Sequence, residues 1–202
     1  MKLLGKSIRI SIVLLLICGI IYPLAMTGIS QLLFNRQANG SMVKINGAAV
    51  GSELIGQSFT DARFFSGRVS AYNYNTYKEA DKAAFSGVAS GSANLAPSNP
   101  ALLDRVNKDI DEFVKNHPEV QRGQIPADLL TSSGSGLDPA ISVEAAKIQL
   151  PAISKATGIS AGELENIIAK CTEGRQLGIF GEPRVNVLKA NIEIAKKLGL
   201  SK

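Results

Sequence analysis

One uncharged apolar segment near the amino terminus constrains this chain more than any other feature. Residues 10–34 contain no charged side chain, and 13 of the residues from Ile12 onward are Ile, Leu, Val or Phe. At roughly −0.3 to −0.6 kcal/mol each, these 13 side chains favour membrane insertion by about 4 to 8 kcal/mol. A helix of this length rises about 37 Å, which crosses a hydrocarbon core with some tilt. We therefore predict a single transmembrane helix over residues 10–34.

The flanking charges predict how this helix is oriented. Lys2, Lys6 and Arg9 precede the apolar segment, whereas Arg36 is the only cation that follows it closely. Because cytoplasmic flanks carry the excess of Lys and Arg, we expect residues 1–9 to be cytoplasmic. Residues 35–202 are then one extracytoplasmic domain on a bacterial cell (inner) membrane.

A cleaved signal peptide is the alternative interpretation of the same segment. Ala38-Asn39-Gly40 resembles a small-residue cleavage site. The apolar part of a signal peptide is usually about 7–15 residues long, however, and this one is longer. The length favours an uncleaved anchor.

Four residues of the apolar segment are candidates for packing against another transmembrane helix. Gly19 and Gly28 leave flat surfaces where a second helix can approach closely, and Pro23 should kink the helix. Gln31 can form a hydrogen bond across such a contact.

The composition of residues 35–202 excludes several functional classes. Their 19 basic and 17 acidic residues nearly balance, so we expect no nucleic-acid partner. The two cysteines, Cys18 and Cys171, should be free thiols, because one lies in the apolar segment and the other in the domain. One histidine and two separated cysteines do not form the common zinc sites, so we expect no metal.

Local signals in residues 35–202 predict an α+β domain with a small β-sheet and about four helices. Asn46-Gly47 indicates a hairpin, with two or three short strands before Phe59. The four helices are expected from Asn99 to Pro118, from Ser142 to about Thr157 with an interruption at Pro151, from a Ser160/Glu163 capping box, and from near Val185 to Gly199. A further short strand is expected at residues 129–131.

Residues 59–85 contain seven of the chain's aromatic residues, including Tyr77 and Phe85, at a spacing typical of neither helix nor strand. One interpretation is a long loop held on the core by its aromatic side chains. The other is a surface that docks a partner, because Tyr and Arg are enriched in interfaces. Under the second interpretation Arg68, Tyr72 and Asn94 are candidate partner-contact residues.

Residues 131–139 form a Ser/Gly-rich loop whose candidate residues are Ser133, Gly134, Ser135, Gly136 and Asp138. A hydrolase would use Ser133 or Ser135 as its nucleophile, and an anion could bind the loop's backbone N–H groups. A Ser/His mechanism is disfavoured, because the only histidine, His117, lies at a polar helix end. A solute-binding or sensor domain is a further alternative, for which the sequence names no pocket. We expect no catalytic residues.

Five segments in order give the chain a resemblance to one family over nearly its whole length. They are GQSF at 56–59, FSGRVSA at 65–71, SANLAPSNP at 92–100, TSSGSGLDP at 131–139 and GEPRVNVL at 181–188. The chain resembles the C subunit (KdpC family) of the Kdp-type potassium-transporting P-type ATPase. It departs from the family pattern at a few positions, namely Val69, Ala93, Ala96, Ala140 and Ala152.

The resemblance implies a non-catalytic subunit of a high-affinity potassium uptake complex. Its expected partners are a channel-like potassium-binding subunit, a P-type ATPase subunit and a small single-span subunit. ATP and potassium are handled by the complex, and this chain is expected to bind no cofactor itself. The family is described as assembling the complex and as a chaperone that raises the ATP affinity of the ATPase subunit. Arg184 and Asn186 are candidates for organising the start of the fourth helix.

Overall fold

The computed structural model describes residues 2–76 and 87–200, and it divides the chain into two compact units, Met1–Val43 and Lys44–Lys202. The aromatic residues Tyr77 and Phe85 lie outside the described residues.

The first unit is dominated by one long helix. It consists of α1 (Lys2–Leu16), a π-helical turn (Ile17–Ile21) and α2 (Tyr22–Leu33), followed by the short α3 (Asn35–Ala38). Within the described residues, Leu3–Leu33 is the one helix that is long and apolar enough to cross a membrane. Helical backbone thus begins before residue 10, because no residue of the basic flank breaks the helix.

The π-helical turn accommodates Pro23. A proline cannot donate a backbone hydrogen bond, and its ring clashes with the carbonyl four residues earlier. In the turn just before it, the Tyr22 N–H donates to the Ile17 carbonyl, five residues back. The helix therefore passes the proline by widening one turn.

Two strands form a hairpin at the start of the domain. β1 (Met42–Ile45) pairs with β2 (Ala48–Ser52), as the Asn46-Gly47 signal predicted. Asn46 and Gly47 have φ values of 51° and 83°, which the type I′ turn requires.

The remaining elements alternate short helices with three short strands. They are α4 (Pro100–Asn116), α5 (Ala127–Leu130), β3 (Ala140–Ser142), α6 (Val143–Lys147), α7 (Leu150–Thr157), α8 (Ala161–Cys171), β4 (Thr172–Glu173), β5 (Arg184–Asn186) and α9 (Val187–Lys197). The strands form an antiparallel sheet in the order β3-β5-β4, with Ile141 opposite Val185 and Thr172 opposite Val185 on its other side. The α+β class is confirmed.

Side-chain caps explain where three helices of the domain begin. Asn99 accepts from Ala101 N–H at 3.0 Å, Ser142 from Ala145 N–H at 3.0 Å, and Ser160 shares a capping box with Glu163. These are the predicted starts. The predicted interruption at Pro151 is also confirmed, because α6 and α7 are separate helices.

One prediction about local structure was wrong. Residues 129–131 are not a strand, since Ala127–Leu130 is a helical turn that Thr131 closes by donating its hydroxyl to the Ala127 carbonyl at 2.8 Å. The fourth helix, expected to begin near Val185, begins at Val187 with Asn186 as its cap, because Val185 itself lies in β5. Pairing of Val185 with Ile141 outweighs its helical context.

The core lies between the sheet and helices α6 to α9. Its buried side chains include Ile141, Ala145, Ile153, Leu164, Ile168, Val185, Leu188 and Ile194. Cys171 joins this core as a free thiol, and Cys18 is likewise unpaired. Phe65 is fully buried although it belongs to a segment without helix or strand, so the loops around it are anchored in the core.

Candidate functional site: a junction of loops

Three loop regions far apart in sequence meet beside the sheet. We call this meeting place the loop junction and define it as residues 66–74, 90–91 and 131–139. It brings together two of the five segments that carried the family resemblance, residues 65–71 and 131–139, and its contacts are specific hydrogen bonds.

Arg68 ties two of these regions together. Its Nη1 donates to Asp138 Oδ2 at 3.0 Å, and its Nη2 lies 3.5 Å from the carbonyl oxygens of Thr131 and Ser132. The Arg68 side chain is 24% exposed. Its buried Nε has no hydrogen-bond partner among the described residues. Arg68 was predicted to contact a partner and Asp138 to belong to a loop motif. In the structure the two side chains form a salt bridge with each other.

The Ser/Gly loop supplies backbone carbonyls to its neighbours. The Ser135 carbonyl accepts from Gly91 N–H at 2.7 Å, the Gly136 carbonyl from Ser70 Oγ at 2.6 Å, and the Leu137 carbonyl from Gly56 N–H at 2.8 Å. Two of its N–H groups are used locally, since Gly136 donates to the Ser133 carbonyl and Leu137 to Ser135 Oγ. The loop therefore contributes mainly hydrogen-bond acceptors to its neighbours. These contacts favour a structural role of the loop over anion binding.

The serines of this loop lack a catalytic neighbour in the part of the chain that the structure describes. Ser133 is buried and its Oγ lies 3.4 Å from Ser135 Oγ. His117 instead bonds the Phe113 carbonyl through Nδ1 at 3.0 Å and stacks on the Phe113 ring. Gly134 between the serines is exposed. No hydrogen bond joins the histidine to either serine among the described residues, so the geometry does not favour a hydrolase.

Tyr74 forms two further hydrogen bonds within the loop junction. Its hydroxyl donates to the Arg68 carbonyl at 2.6 Å, and its N–H donates to Ser70 Oγ at 2.9 Å. Burial raises the pKa of Tyr74 to about 12, with the Asp138 carboxylate adding to the rise and Arg68 opposing it.

We expect this raised pKa to make the fold alkali-sensitive. An ordinary tyrosine has a pKa of 10.0, so the contribution of Tyr74 to stability is complete below pH 10 and is lost as the pH rises towards 12. The loss should be about 1.4 kcal/mol for each pH unit in that interval. Urea unfolding of the full chain in detergent at several pH values measures it, as the difference from a Tyr74→Phe variant. A Tyr72→Phe variant should keep the slope, and an unchanged slope in Tyr74→Phe would contradict the assignment.

Two buried amide side chains, those of Asn191 and Gln149, form hydrogen bonds with Phe65 and Ser66, where the chain enters the loop junction. Neither was predicted from the sequence. Asn191 Oδ1 accepts from Phe65 N–H at 2.8 Å and its Nδ2 donates to the Phe65 carbonyl at 2.9 Å. Gln149 Oε1 accepts from Ser66 N–H and Ser66 Oγ, both at 2.9 Å. A signal was present, because Asn191 interrupts an apolar stretch of α9 and Gln149 lies between Ile148 and Leu150, where a polar residue needs a partner.

The remaining predicted domain residues lie at different places. Tyr72 is 36% exposed and packs near Gly91 and Gly136. Asn94 is exposed, with φ 48°, and accepts from Ser92 Oγ at 2.8 Å.

Arg184 and Asn186 lie on β5, away from the contacts of Arg68. Arg184 is about half exposed and pairs with Glu173 at 3.1 Å. Asn186 Oδ1 accepts from Lys189 N–H at 3.0 Å and its Nδ2 donates to the Glu53 carbonyl at 2.9 Å. Asn186 thus caps α9 and holds the chain after β2.

Within the first unit, the predicted packing residues differ in their surroundings. A Cβ at Gly19 or Gly28 would meet nothing of this chain within 4 Å apart from its own helix backbone. Gln31 accepts from Asn35 Nδ2 at 3.1 Å and from Asn39 Nδ2 at 3.0 Å. Gln31 therefore stabilises the chain where α2 ends, while the two glycines leave open helix surface.

An open cleft lies beside α4. Its lining includes aromatic and acidic side chains, among them Phe59, Phe64, Phe113, Asp109 and Glu112. Burial raises the pKa of Asp109, and Arg105, 2.6 Å away, opposes that rise. No group of three His, Cys, Asp or Glu side chains that could hold a metal ion occurs in the described ranges.

Comparison with known proteins decides which family these features belong to. The model of the family described as "KdpC: K+-transporting ATPase, c chain" matches residues 4–196. The chain belongs to the KdpC family. The resemblance drawn from the five sequence segments is thereby confirmed, and the chain is a subunit of a potassium-transporting ATPase complex.

Individual members of the KdpC family match over the whole chain. The potassium-transporting ATPase KdpC subunit of Clostridioides difficile is 56% identical over 207 residues, which cover 99% of this chain and all of the relative. That of Clostridium kluyveri is 55% identical over 201 residues, covering 98% and 96%. That of Caldanaerobacter subterraneus is 46% identical over 193 residues, covering 96% and 94%. With its apolar helix Leu3–Leu33, this family member is a membrane-associated, single-pass subunit.

Proposed function

We propose that this chain is a non-catalytic subunit that assembles and stabilises a high-affinity, ATP-driven potassium uptake complex. The observation that carries the proposal is the apolar helix Leu3–Leu33 in front of a domain of the KdpC family. The loop junction supports it, because the side chains of Arg68, Ser70 and Tyr74 form hydrogen bonds that hold its loops together. The proposed partners are a channel-like potassium-binding subunit, a P-type ATPase subunit and a small single-span subunit.

Co-purification tests this proposal. A tag on the carboxyl terminus would be used to capture the chain from detergent-solubilised membranes of potassium-starved cells. We expect recovery of a P-type ATPase and a channel-like protein, together with potassium-stimulated ATP hydrolysis. Recovery of the chain alone, under conditions that keep other membrane complexes intact, would overturn the proposal. So would full assembly and transport in cells that lack this chain.

The long helix is proposed to bind its partners through its glycine surfaces. Gly28→Leu adds a side chain at a position where a Cβ meets nothing of this chain within 4 Å apart from its own helix backbone, so loss of partners would indicate an intermolecular contact. We expect this change, and likewise Gly19→Leu, to lower co-purification of the partners about tenfold, which corresponds to about 1.4 kcal/mol. Gly5→Leu is the matched control, since Gly5 is also helical and open. Equal losses from Gly5→Leu and Gly28→Leu would contradict a specific contact.

The orientation of the chain is part of the proposal. Lys2, Lys6 and Arg9 before the helix support a cytoplasmic amino terminus, with residues 10–34 spanning the membrane and residues 35–202 outside. Protease added to intact protoplasts should then remove the carboxyl-terminal tag while a cytoplasmic marker survives. Survival of the tag in intact protoplasts, and its loss only after lysis, would show that the carboxyl terminus is cytoplasmic and would contradict the proposed orientation.

We further propose that any effect on ATP affinity is transmitted through the membrane subunits. ATP is cytoplasmic, and the proposed orientation places the domain on the other side of the membrane. The purified chain should therefore bind no ATP in equilibrium dialysis, whereas a complex that lacks it should show a raised KM for ATP. Saturable binding of ATP by the chain alone would contradict the proposal that the effect on ATP affinity is transmitted through the membrane subunits.

A further inference from the structure

The segment between β4 and β5 carries a cluster of exposed apolar side chains. We call it the apolar turn and define it as residues 177–180. Leu177 is 89% exposed, Ile179 71% and Phe180 63%. Single exposed apolar residues are common on protein surfaces, but contiguous exposed apolar side chains mark interaction sites.

The apolar turn has a defined shape. Gln176 and Phe180 exchange two backbone hydrogen bonds, of 2.8 and 3.0 Å, and Ile179 N–H donates to the Gln176 carbonyl at 3.1 Å. These bonds hold the three side chains on one short closed turn. The backbone of the apolar turn is therefore held in one conformation, which lowers the entropy cost of docking.

The backbone at Leu177 indicates that the apolar side chain is not there for stability. Leu177 has φ 54°, a left-handed conformation that glycine or asparagine adopts at much lower cost. With 89% of its surface exposed, the leucine gains little from burial within this chain. Strain of this kind is typical of sites that bind something else.

The charges around the turn favour a protein partner over a lipid surface. Arg175 pairs with Glu182 at 2.8 Å and Arg184 pairs with Glu173 at 3.1 Å, so residues 173–184 carry equal numbers of cations and anions. Loops that bind anionic membranes usually carry a surplus of Lys and Arg. A neutral, paired rim around apolar anchors is instead the arrangement of a protein interface.

The size of the apolar turn limits which protein the partner can be. Three side chains offer a few hundred Å² at most, whereas a stable standard interface buries about 800 Å² on each side. The turn is too small to hold an independent partner or a second copy of this chain. It suits a contact between chains that other surfaces already hold together, and a membrane-spanning helix supplies such a surface.

We propose that the apolar turn docks into an apolar cleft on another subunit of the same potassium-transporting complex. This inference rests on the proposed function. It adds a specific contact of the domain to the contacts proposed for the long helix.

Photo-cross-linking in the assembled complex tests the docking. Phe180 would be replaced by p-benzoylphenylalanine in the tagged full chain, and the complex irradiated after purification. We expect an adduct with one integral membrane subunit, identified by mass spectrometry. The matched control places the same amino acid at Leu103, which is 57% exposed on α4. An adduct of equal yield from position 103, an adduct only with lipid, or one only with a second copy of this chain would overturn the inference.

A pair of variants separates docking from folding. Leu177→Gly relieves the strained backbone while removing an anchor, so the unfolding midpoint should stay or rise. The triple variant Leu177→Ser, Ile179→Ser, Phe180→Ser should leave the midpoint unchanged, because these side chains are exposed. Both are expected to dissociate faster from the complex, the triple variant by about tenfold or more. If both variants dissociated from an intact complex at the same rate as the unmodified chain, the docking alone would be refuted. If the unmodified chain were recovered without partners, the proposed function would be refuted as well.

Discussion

Replacing Asn191 with alanine is expected to lower the free energy of unfolding by about 3–5 kcal/mol. The Asn191→Ala variant removes the side chain that bonds two backbone groups of Phe65, the N–H at 2.8 Å and the carbonyl at 2.9 Å. Phe65 is fully buried and Asn191 is 2% exposed, so water cannot replace the lost bonds without opening the core. Each buried group left unsatisfied costs about 1–3 kcal/mol.

Urea titration of the full chain in detergent, followed by circular dichroism, measures this loss. Asn166→Ala is the matched control, because Asn166 is exposed on α8 and its replacement should change the free energy by less than about 0.5 kcal/mol. Hydrogen exchange at the Phe65 amide should accelerate in Asn191→Ala alone. Similar midpoints for the two variants would mean that the segment before the loop junction is held by something other than this amide.

The helices of the domain were predictable because their signals are local. A cap, a proline at the first helical position and a capping box all act within four residues, so Asn99, Ser142 and Ser160 mark helix starts that the structure confirms. The segment Arg184–Asn186 lacked such a signal. It is a strand because Ala140–Ser142 and Thr172–Glu173 pair with it on either side, and short strands are defined by partners outside the segment itself.

The same distinction explains what could be predicted about the site. Sequence motifs singled out Arg68 and Asp138 separately, but their pairing spans 70 positions and no local pattern encodes it. Asn191 was not predicted to be buried because it interrupts an apolar stretch of α9. The buried face of that helix includes Asn191 together with Leu188, Ala190 and Ile194.

Gly136, in the loop junction, is a second position where one substitution should strongly lower the stability of the fold. Gly136→Ala is expected to lower the free energy of unfolding by about 3–4 kcal/mol. The residue has φ +66°, where a side chain costs roughly 1–2 kcal/mol. A Cβ there would also lie closer than 3.0 Å to the Gly91 carbonyl oxygen, which is backbone and cannot rotate away.

The clash should separate the loops that the junction holds. Moving Gly91 away stretches the bond from its N–H to the Ser135 carbonyl, now 2.7 Å, and displacing Gly136 stretches the bond from Ser70 Oγ, now 2.6 Å. Gly134→Ala is the matched control two residues earlier, because a Cβ at Gly134 meets nothing within 4 Å. Urea titration should therefore separate the two variants by at least about 2 kcal/mol, and amide exchange at Gly91 should accelerate in Gly136→Ala only. If both alanines were equally tolerated, close approach of residues 90–91 to the Ser/Gly loop would not be a requirement of the fold. If Gly136→Ala folds normally but loses its partners, the loop junction would be an interface with another subunit.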